Sequence, residues 1–172
     1  MRLLSLIAAM LTFVASIAAT PYDRLMELSL YDRSLAIIRH YETLHQYPRD
    51  EAIGYGHVIQ PDEPYERRQY THAEAEDILR KDFDWLLSYY SDLGKHKYLI
   101  SALAYNCGIK NANTIAAKLR SGNIDIRADY LHYCHYKGKF HKGLFRRRQI
   151  ELLLLFSPSH STNRQTLGHP SR

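Results

Sequence analysis

Two stretches decide the reading: Ile37-Ile38-Arg39-His40-Tyr41-Glu42-Thr43-Leu44 and, a few residues on, Ile53-Gly54-Tyr55-Gly56-His57. The first has a helical period. Leu35, Ile38, Tyr41 and His45 recur on one face, and Glu42 falls one turn after Ile38, on or beside that stripe. Its carboxylate is therefore aimed inward or at the edge of a cleft. From Tyr47 to Pro64 the period is lost and Pro48, Gly54, Gly56, Pro61 and Pro64 appear, which predicts short strands and turns. A helix that starts near Pro21 or Tyr22, breaks at Ser34 and runs to about His45 thus leads into a small β region.

Downstream the helical period returns. Thr71 and Glu74 form a Thr-x-x-Glu capping box, and Ala75, Ile78, Leu79, Phe83, Leu86, Leu87 and Tyr90 mark the buried face of a helix ending near Gly94. Further helices are predicted over 97–107, closed by Gly108, and over 114–120, closed by Gly122. Asp125 is a good N-cap for a helix over 126–136 with Gly138 as its stop, and a last helix covers 143–156. No internal repeat is visible. The fold class is α+β, mostly helical, with one small β region after the first long helix.

The 172 residues, 45% hydrophobic and 24% charged, suit one domain with a real core, placed at 20–156. Residues 1–19 read as a signal peptide: Arg2 gives a charged start, Leu3 to Ala18 is apolar, and Ser16-Ile17-Ala18 suits a signal peptidase. That run is short for a bilayer span of roughly 20 residues, so no stable membrane insertion is expected after cleavage. The expected location is periplasmic or secreted. Residues 157–172 mix Ser, Pro, His, Asn and Thr without period and read as a disordered tail.

A net charge of +5 attracts the chain to polyanions, wall polymer and lipid headgroups as readily as nucleic acid. Lys137, Lys139, Lys142, Arg146, Arg147 and Arg148, with His135 and His141 between, read as a solvated helix face or as an anion-attracting patch. No nucleic-acid fold signature accompanies them, and no nucleic-acid partner is expected. The ten histidines show no zinc-binding spacing, so no metal is assigned. The 14 tyrosines can line a sugar-binding cleft or fill core and interface.

The chemistry-bearing candidates are Glu42 and the glycine-flanked Tyr55. Glycines on either side of a tyrosine let the backbone turn tightly or let a ligand approach. Burial disfavours the charged form of a carboxyl, as a general acid for glycosidic cleavage requires. Glu42 can equally be a solvated helix-end acid or pair with His45 at i, i+3.

Those two stretches resemble the start of the phage-type lysozymes, glycoside hydrolase family 24. Two later blocks agree in order: Ala104-Tyr105-Asn106-Cys107-Gly108 resembles the family's Phe-Asn-Val-Gly segment, and Gly143-Leu144-Phe145-Arg146-Arg147-Arg148-Gln149-Ile150-Glu151 its Gly-Leu-x-x-Arg-Arg-x-x-Glu block. The resemblance implies a lysozyme-like fold, a small β-hairpin lobe and a larger helical lobe either side of a peptidoglycan cleft. It implies that Glu42 is the general acid of a muramidase cleaving the bond from N-acetylmuramic acid to N-acetylglucosamine, without a cofactor. Tyr55 and Asn106 would bind substrate, His57 would pin the sheet loop, and Arg147 and Glu151 would form a packing salt bridge. It also implies a disulfide between Cys107 and Cys134, since both replace family residues expected close together behind the cleft.

The departures bear on catalysis. Ala52 stands where the family has a threonine, and the hairpin is shorter, leaving Asp50, or secondarily Glu51, for the second carboxylate that an inverting hydrolase requires. Two alternatives stay open: a lytic transglycosylase working with Glu42 alone, and a catalytically impaired protein that binds wall glycan. The shortened, exported form also resembles lysozyme-like proteins of conjugative transfer systems, which implies a conjugation or secretion apparatus as a partner besides peptidoglycan strands.

Overall fold

A computed structural model describes residues 20–49, 52–66 and 68–156 of the chain. The proposed signal peptide and tail, and Asp50 and Glu51, lie outside the described residues. The described residues open with α1 (Pro21–Glu27) and α2 (Leu30–Tyr41), then a three-stranded antiparallel sheet of β1 (His45–Arg49), β2 (Ala52–Gly54) and β3 (His57–Val58). Next come α3 (His72–Tyr89), a 3-10 turn over Ser91–His96, α4 (Lys97–Cys107), α5 (Ile109–Arg120) and α6 (Arg127–His132). A two-stranded hairpin, β4 (His135–Tyr136) with β5 (Lys139–Phe140), precedes α7 (Lys142–Leu155). The mostly helical α+β architecture read from the sequence is the observed one.

Local chemistry sets the boundaries. Thr71 caps α3 as expected, its hydroxyl accepting from the Glu74 N–H while the Glu74 carboxylate accepts from the Thr71 N–H. The first helix breaks at Leu28 and Ser29 rather than at Ser34, because the Ser29 hydroxyl caps α2 by accepting from the Asp32 N–H. Ser34 instead donates to the Leu30 carbonyl at 2.7 Å and continues the helix. α2 also ends at Tyr41, before His45, which already pairs with Gly54 in the sheet.

Two further expectations are corrected. α5 starts at Ile109 rather than Thr114, because Gly108, at φ 80°, turns the chain out of α4 and directly into the next helix. The helix expected over 126–136 stops at His132, and its end is a hairpin turned by Lys137 (φ 49°) and Gly138 (φ 74°). A left-handed glycine ends a helix or turns a hairpin equally well, so Gly138 alone could not separate the two.

Three apolar clusters hold these elements. Leu99, Ile100, Leu103, Ile115, Ile126, Tyr130, Leu152 and Leu155 form the core of the helical lobe. Leu35, Ile38, Tyr55, Leu79, Phe83 and Leu87 form a second core between α2, α3 and the sheet, and Ile53, Tyr70 and Ile78 a third beneath the sheet. α2 serves both sides, with Ile37 in the helical lobe and Leu35 and Ile38 in the second core. Its C-terminal end, where Glu42 sits, therefore emerges at the junction.

The turn joining β2 to β3 is closed by the Gly56 N–H donating to the Ile53 carbonyl at 3.1 Å. Gly54 takes φ 58° and lies so close to α3 that a Cβ would stand 3.4 Å from Ala75 Cα. The substitution Gly54→Ala is expected to cost about 1–2 kcal/mol from the left-handed backbone. Urea unfolding checks this, and a loss within error of zero would show that the turn does not constrain the fold.

Candidate active site

Glu42 is the C-cap of α2, its N–H donating to the Ile38 carbonyl at 2.8 Å, and its side chain is 24% exposed. It does not pair with His45 as a continuing helix would allow. Its Oε1 accepts from Arg147 Nη1 at 2.6 Å and from Asn106 Nδ2 at 3.4 Å. Both partners come from the helical lobe, from α7 and α4.

Arg147 and Arg148 are buried, 2% and 0% exposed, so they do not belong to the solvated basic face expected from the Lys137 to Arg148 run. Glu151, one turn on and also fully buried, makes that burial tolerable. Its Oε1 accepts from Arg147 Nε at 2.9 Å and Arg148 Nη2 at 3.0 Å, and its Oε2 from the Tyr130 hydroxyl at 2.7 Å. Arg148 Nη2 also donates to Asn106 Oδ1 at 3.0 Å. Glu42, Arg147, Glu151, Arg148 and Asn106 thus close a ring of hydrogen bonds, two carboxylates against two guanidiniums. Burial works against the Arg147 charge, but the Glu151 and Glu42 carboxylates outweigh it and raise its pKa above the ordinary value.

The expected Arg147–Glu151 pair is therefore present, but it is half of a larger assembly. Arg148 reads in the sequence only as part of the basic run, and Tyr130 is not singled out there. The i, i+3 spacing of Arg148 and Glu151 offered a signal. Nothing local ties Tyr130 to them.

With Oε1 committed, Glu42 Oε2 is left on the side of Gly56, 4.0 Å from where a Cβ on that glycine would stand. Gly56 takes φ 96° and borders a groove of about 770 Å³ lined also by His57, Lys81, Asp82, Trp85, Tyr105 and Ile109. That volume falls within the roughly 300–1,000 Å³ typical of ligand clefts. Glu42 itself stands beside the groove rather than along it.

Tyr55, expected to bind substrate, is instead a buried core residue. Its ring packs into the second core, where its hydroxyl lies 3.2 Å from His72 Nε2. Its carbonyl accepts from the Tyr105 hydroxyl at 3.0 Å, and that bond ties the sheet turn to α4. Burial raises the Tyr105 pKa far above the ordinary tyrosine range, so the hydroxyl stays a donor.

His57 lies between two carboxylates, Nδ1 2.9 Å from Asp82 Oδ2 and Nε2 2.7 Å from Glu63 Oε2. It joins β3 to α3 and to the loop at Glu63. The hydrogen bond to Asp82 dominates in raising the His57 pKa above 6.5, against a smaller opposing effect of burial, with Glu63 adding to it. Asp82 and Glu63 were not picked out from the sequence, because neither is at a helical or strand spacing from His57.

Cys107 and Cys134 are both free thiols, which corrects the expected disulfide. Cys107 Sγ instead lies 3.5 Å from both Asn106 Oδ1 and Arg148 Nη1, whereas Cys134 Sγ lies 3.8 Å from His135 Nδ1. Each sulfur is turned to its own neighbours.

A small antiparallel sheet beside a helical lobe, with a helix-end glutamate held at the junction, defines a lysozyme-like protein. The phage lysozyme family matches residues 39–151. The chain belongs to that family. Among solved structures it is similar to the muramidase domain of SpmX from Asticaccaulis excentricus, at 19% identity and TM-score 0.61, over 76% of this chain and 99% of that one. It is also similar to the endolysin from Escherichia coli O157:H7 phage FAHEc1, at 20% identity and TM-score 0.59, over 76% of this chain and 95% of that one. No curated protein matches.

Two outcomes are expected. Glu151→Ala removes the carboxylate shared by two buried guanidiniums, leaving Arg147 with Glu42 alone and Arg148 without an ion-pair partner among the described residues, and should cost about 3–5 kcal/mol in urea unfolding. A cost below about 1 kcal/mol would mean that Glu151 is dispensable to the ring. Because the folded-state pKa of His57 is raised, its stabilisation is fully present below about pH 6.5 and is lost as pH rises through the raised value. The stability difference between wild type and His57→Asn should therefore shrink from about pH 6 to about pH 9. A difference that grows over that interval contradicts the assignment.

Proposed function

We propose that the protein is a peptidoglycan hydrolase of the lysozyme type, with Glu42 as the proton donor. The observation that carries this reading is the fixed geometry of that one carboxylate: Arg147 and Asn106 engage Oε1, and Oε2 is left at the glycine that borders the groove. Gly56 offers no side chain there, so a sugar can come close to the carboxyl.

In the reaction, Glu42 protonates the glycosidic oxygen between N-acetylmuramic acid and N-acetylglucosamine as the bond breaks, and the charge developing on the sugar is met by a second carboxylate or by water it activates. Glu63 and Asp82 border the groove but both are engaged by His57. Asp50 is the proposed base, with Glu51 the alternative. Arg147 acts as a positioning residue, holding Glu42 from a helix that Glu151 in turn anchors to Tyr130 of α6. Asn106 holds the same oxygen and is the proposed substrate-binding residue on the helical side.

Peptidoglycan lies outside the cytoplasm, which agrees with the proposed signal peptide and a periplasmic or secreted location. Among the described residues no helix is long and apolar enough to cross a membrane. A conjugation or secretion apparatus as partner is a further part of this reading, resting on the resemblance alone.

Purified protein and its Glu42→Gln variant, incubated with peptidoglycan, test the assignment. Wild type should release fragments with new reducing ends, and Glu42→Gln should be slower by about 100- to 10,000-fold. Anhydro ends would replace hydrolysis by the transglycosylase reaction, and no release with retained wall binding would make the protein a non-catalytic glycan binder.

A further inference from the structure

Chemistry at Glu42 involves the part of the groove bordered by Gly56. The groove continues along α3 to Trp85, and the far end has a construction that proton donation does not require. Trp85 is the chain's one tryptophan. It is 57% exposed on a helix whose neighbouring Phe83, Leu86 and Leu87 are all buried. An indole left in water at the wall of a cleft is apolar area available for a ligand.

The indole is also held in place. Tyr89, one helical turn on, stacks against it with centroids 5.7 Å apart and planes at 28°. Tyr89 packs edge-on against Tyr90, and its hydroxyl accepts from Asn113 Nδ2 at 3.5 Å. Asn113 Oδ1 in turn accepts from the buried Tyr90 hydroxyl at 3.0 Å, which anchors the aromatic pair to α5. Lys81, one turn before Trp85, borders the same groove, and Ile109 forms part of its lining from the start of α5. The rigidity matters because a pre-ordered ring loses little freedom when a ligand lands on it.

We propose that Trp85, backed by Tyr89, is an outer subsite that stacks on the C–H face of an N-acetylhexosamine ring in the glycan strand, while Lys81 meets the polar groups at that ring's edge. The proposal rests on the reading of the protein as peptidoglycan-directed. A glycan strand is the fitting occupant because the groove is continuous: Gly56, beside Glu42 Oε2, and Trp85 border the same cavity. A strand seated at Trp85 reaches Gly56, beside the proton donor, without leaving it. A pyranose presents flat C–H faces with hydroxyls at the rim, which matches a large aromatic flanked by charged and polar side chains.

A lone tryptophan makes the test direct, since all indole emission comes from this position. The full chain carrying Glu42→Gln is titrated with a soluble N-acetylglucosamine hexamer while emission and acrylamide quenching are recorded. A saturable blue shift with reduced quenching is expected. In parallel, Trp85→Ala should raise KM for solubilised glycan strands by about three- to tenfold and leave kcat within about twofold. Trp85→Phe should recover most of the loss, and both variants should keep the wild-type unfolding midpoint. Emission unmoved at saturating hexamer, or an unchanged KM in Trp85→Ala, overturns the subsite while leaving hydrolysis at Glu42 intact. A saturable shift in a protein that releases no fragments from the wall upholds the subsite and removes the hydrolytic reading instead.

Discussion

The interaction on which the rest depends is the neutralisation of Arg147 and Arg148 by Glu151 inside the helical lobe. Two guanidiniums without that carboxylate would each carry a desolvation cost of several kcal/mol. With it, α7 can pack its charged segment inward against Tyr130 and the helical core, and Arg147 is carried to the end of α2. α2 thus brings Glu42 to the junction, and an ion cluster in another element sets the aim of its carboxylate.

The sheet side supplies the complementary half. Gly54 brings the β2–β3 turn against Ala75 of α3, and the Tyr105 hydroxyl holds that turn to α4 through the Tyr55 carbonyl. His57 ties β3 to α3 through Asp82. These contacts place Gly56 where its missing side chain leaves room beside the Glu42 carboxylate. The groove is therefore bounded by the turn, by α3 and by the α4–α5 junction at Gly108 and Ile109.

Much of this was legible in the sequence, and the misses have physical causes. Glu42 at a helix end, the capped α3 and the glycine turn were visible because capping and periodicity are local. Tyr55 was misassigned because two flanking glycines signal close approach without saying what approaches; here the backbone is the approachable part and the ring is core. The basic run that contains Arg147 and Arg148 resembles a solvated face; only the packing pair of Arg147 with Glu151, implied by the resemblance, pointed inward, and nothing did so for Arg148 beyond its i, i+3 spacing from Glu151. The hairpin at Lys137 and Gly138 read as a helix end because a positive φ serves both. Asp82 with His57 and Tyr130 with Glu151 are pairings of distant residues, and no window on the sequence contains them.

The contact between Glu42 and Arg147 spans 105 positions of the chain. On a ribosome, Glu42 and the whole sheet are made long before the helix that holds the carboxylate. Every nascent chain stopped short of α7 lacks that grip, whatever the state of its N-terminal half. The order of synthesis thus withholds a fully assembled site until α7 has been added, and truncated products carry the glutamate without the means to aim it.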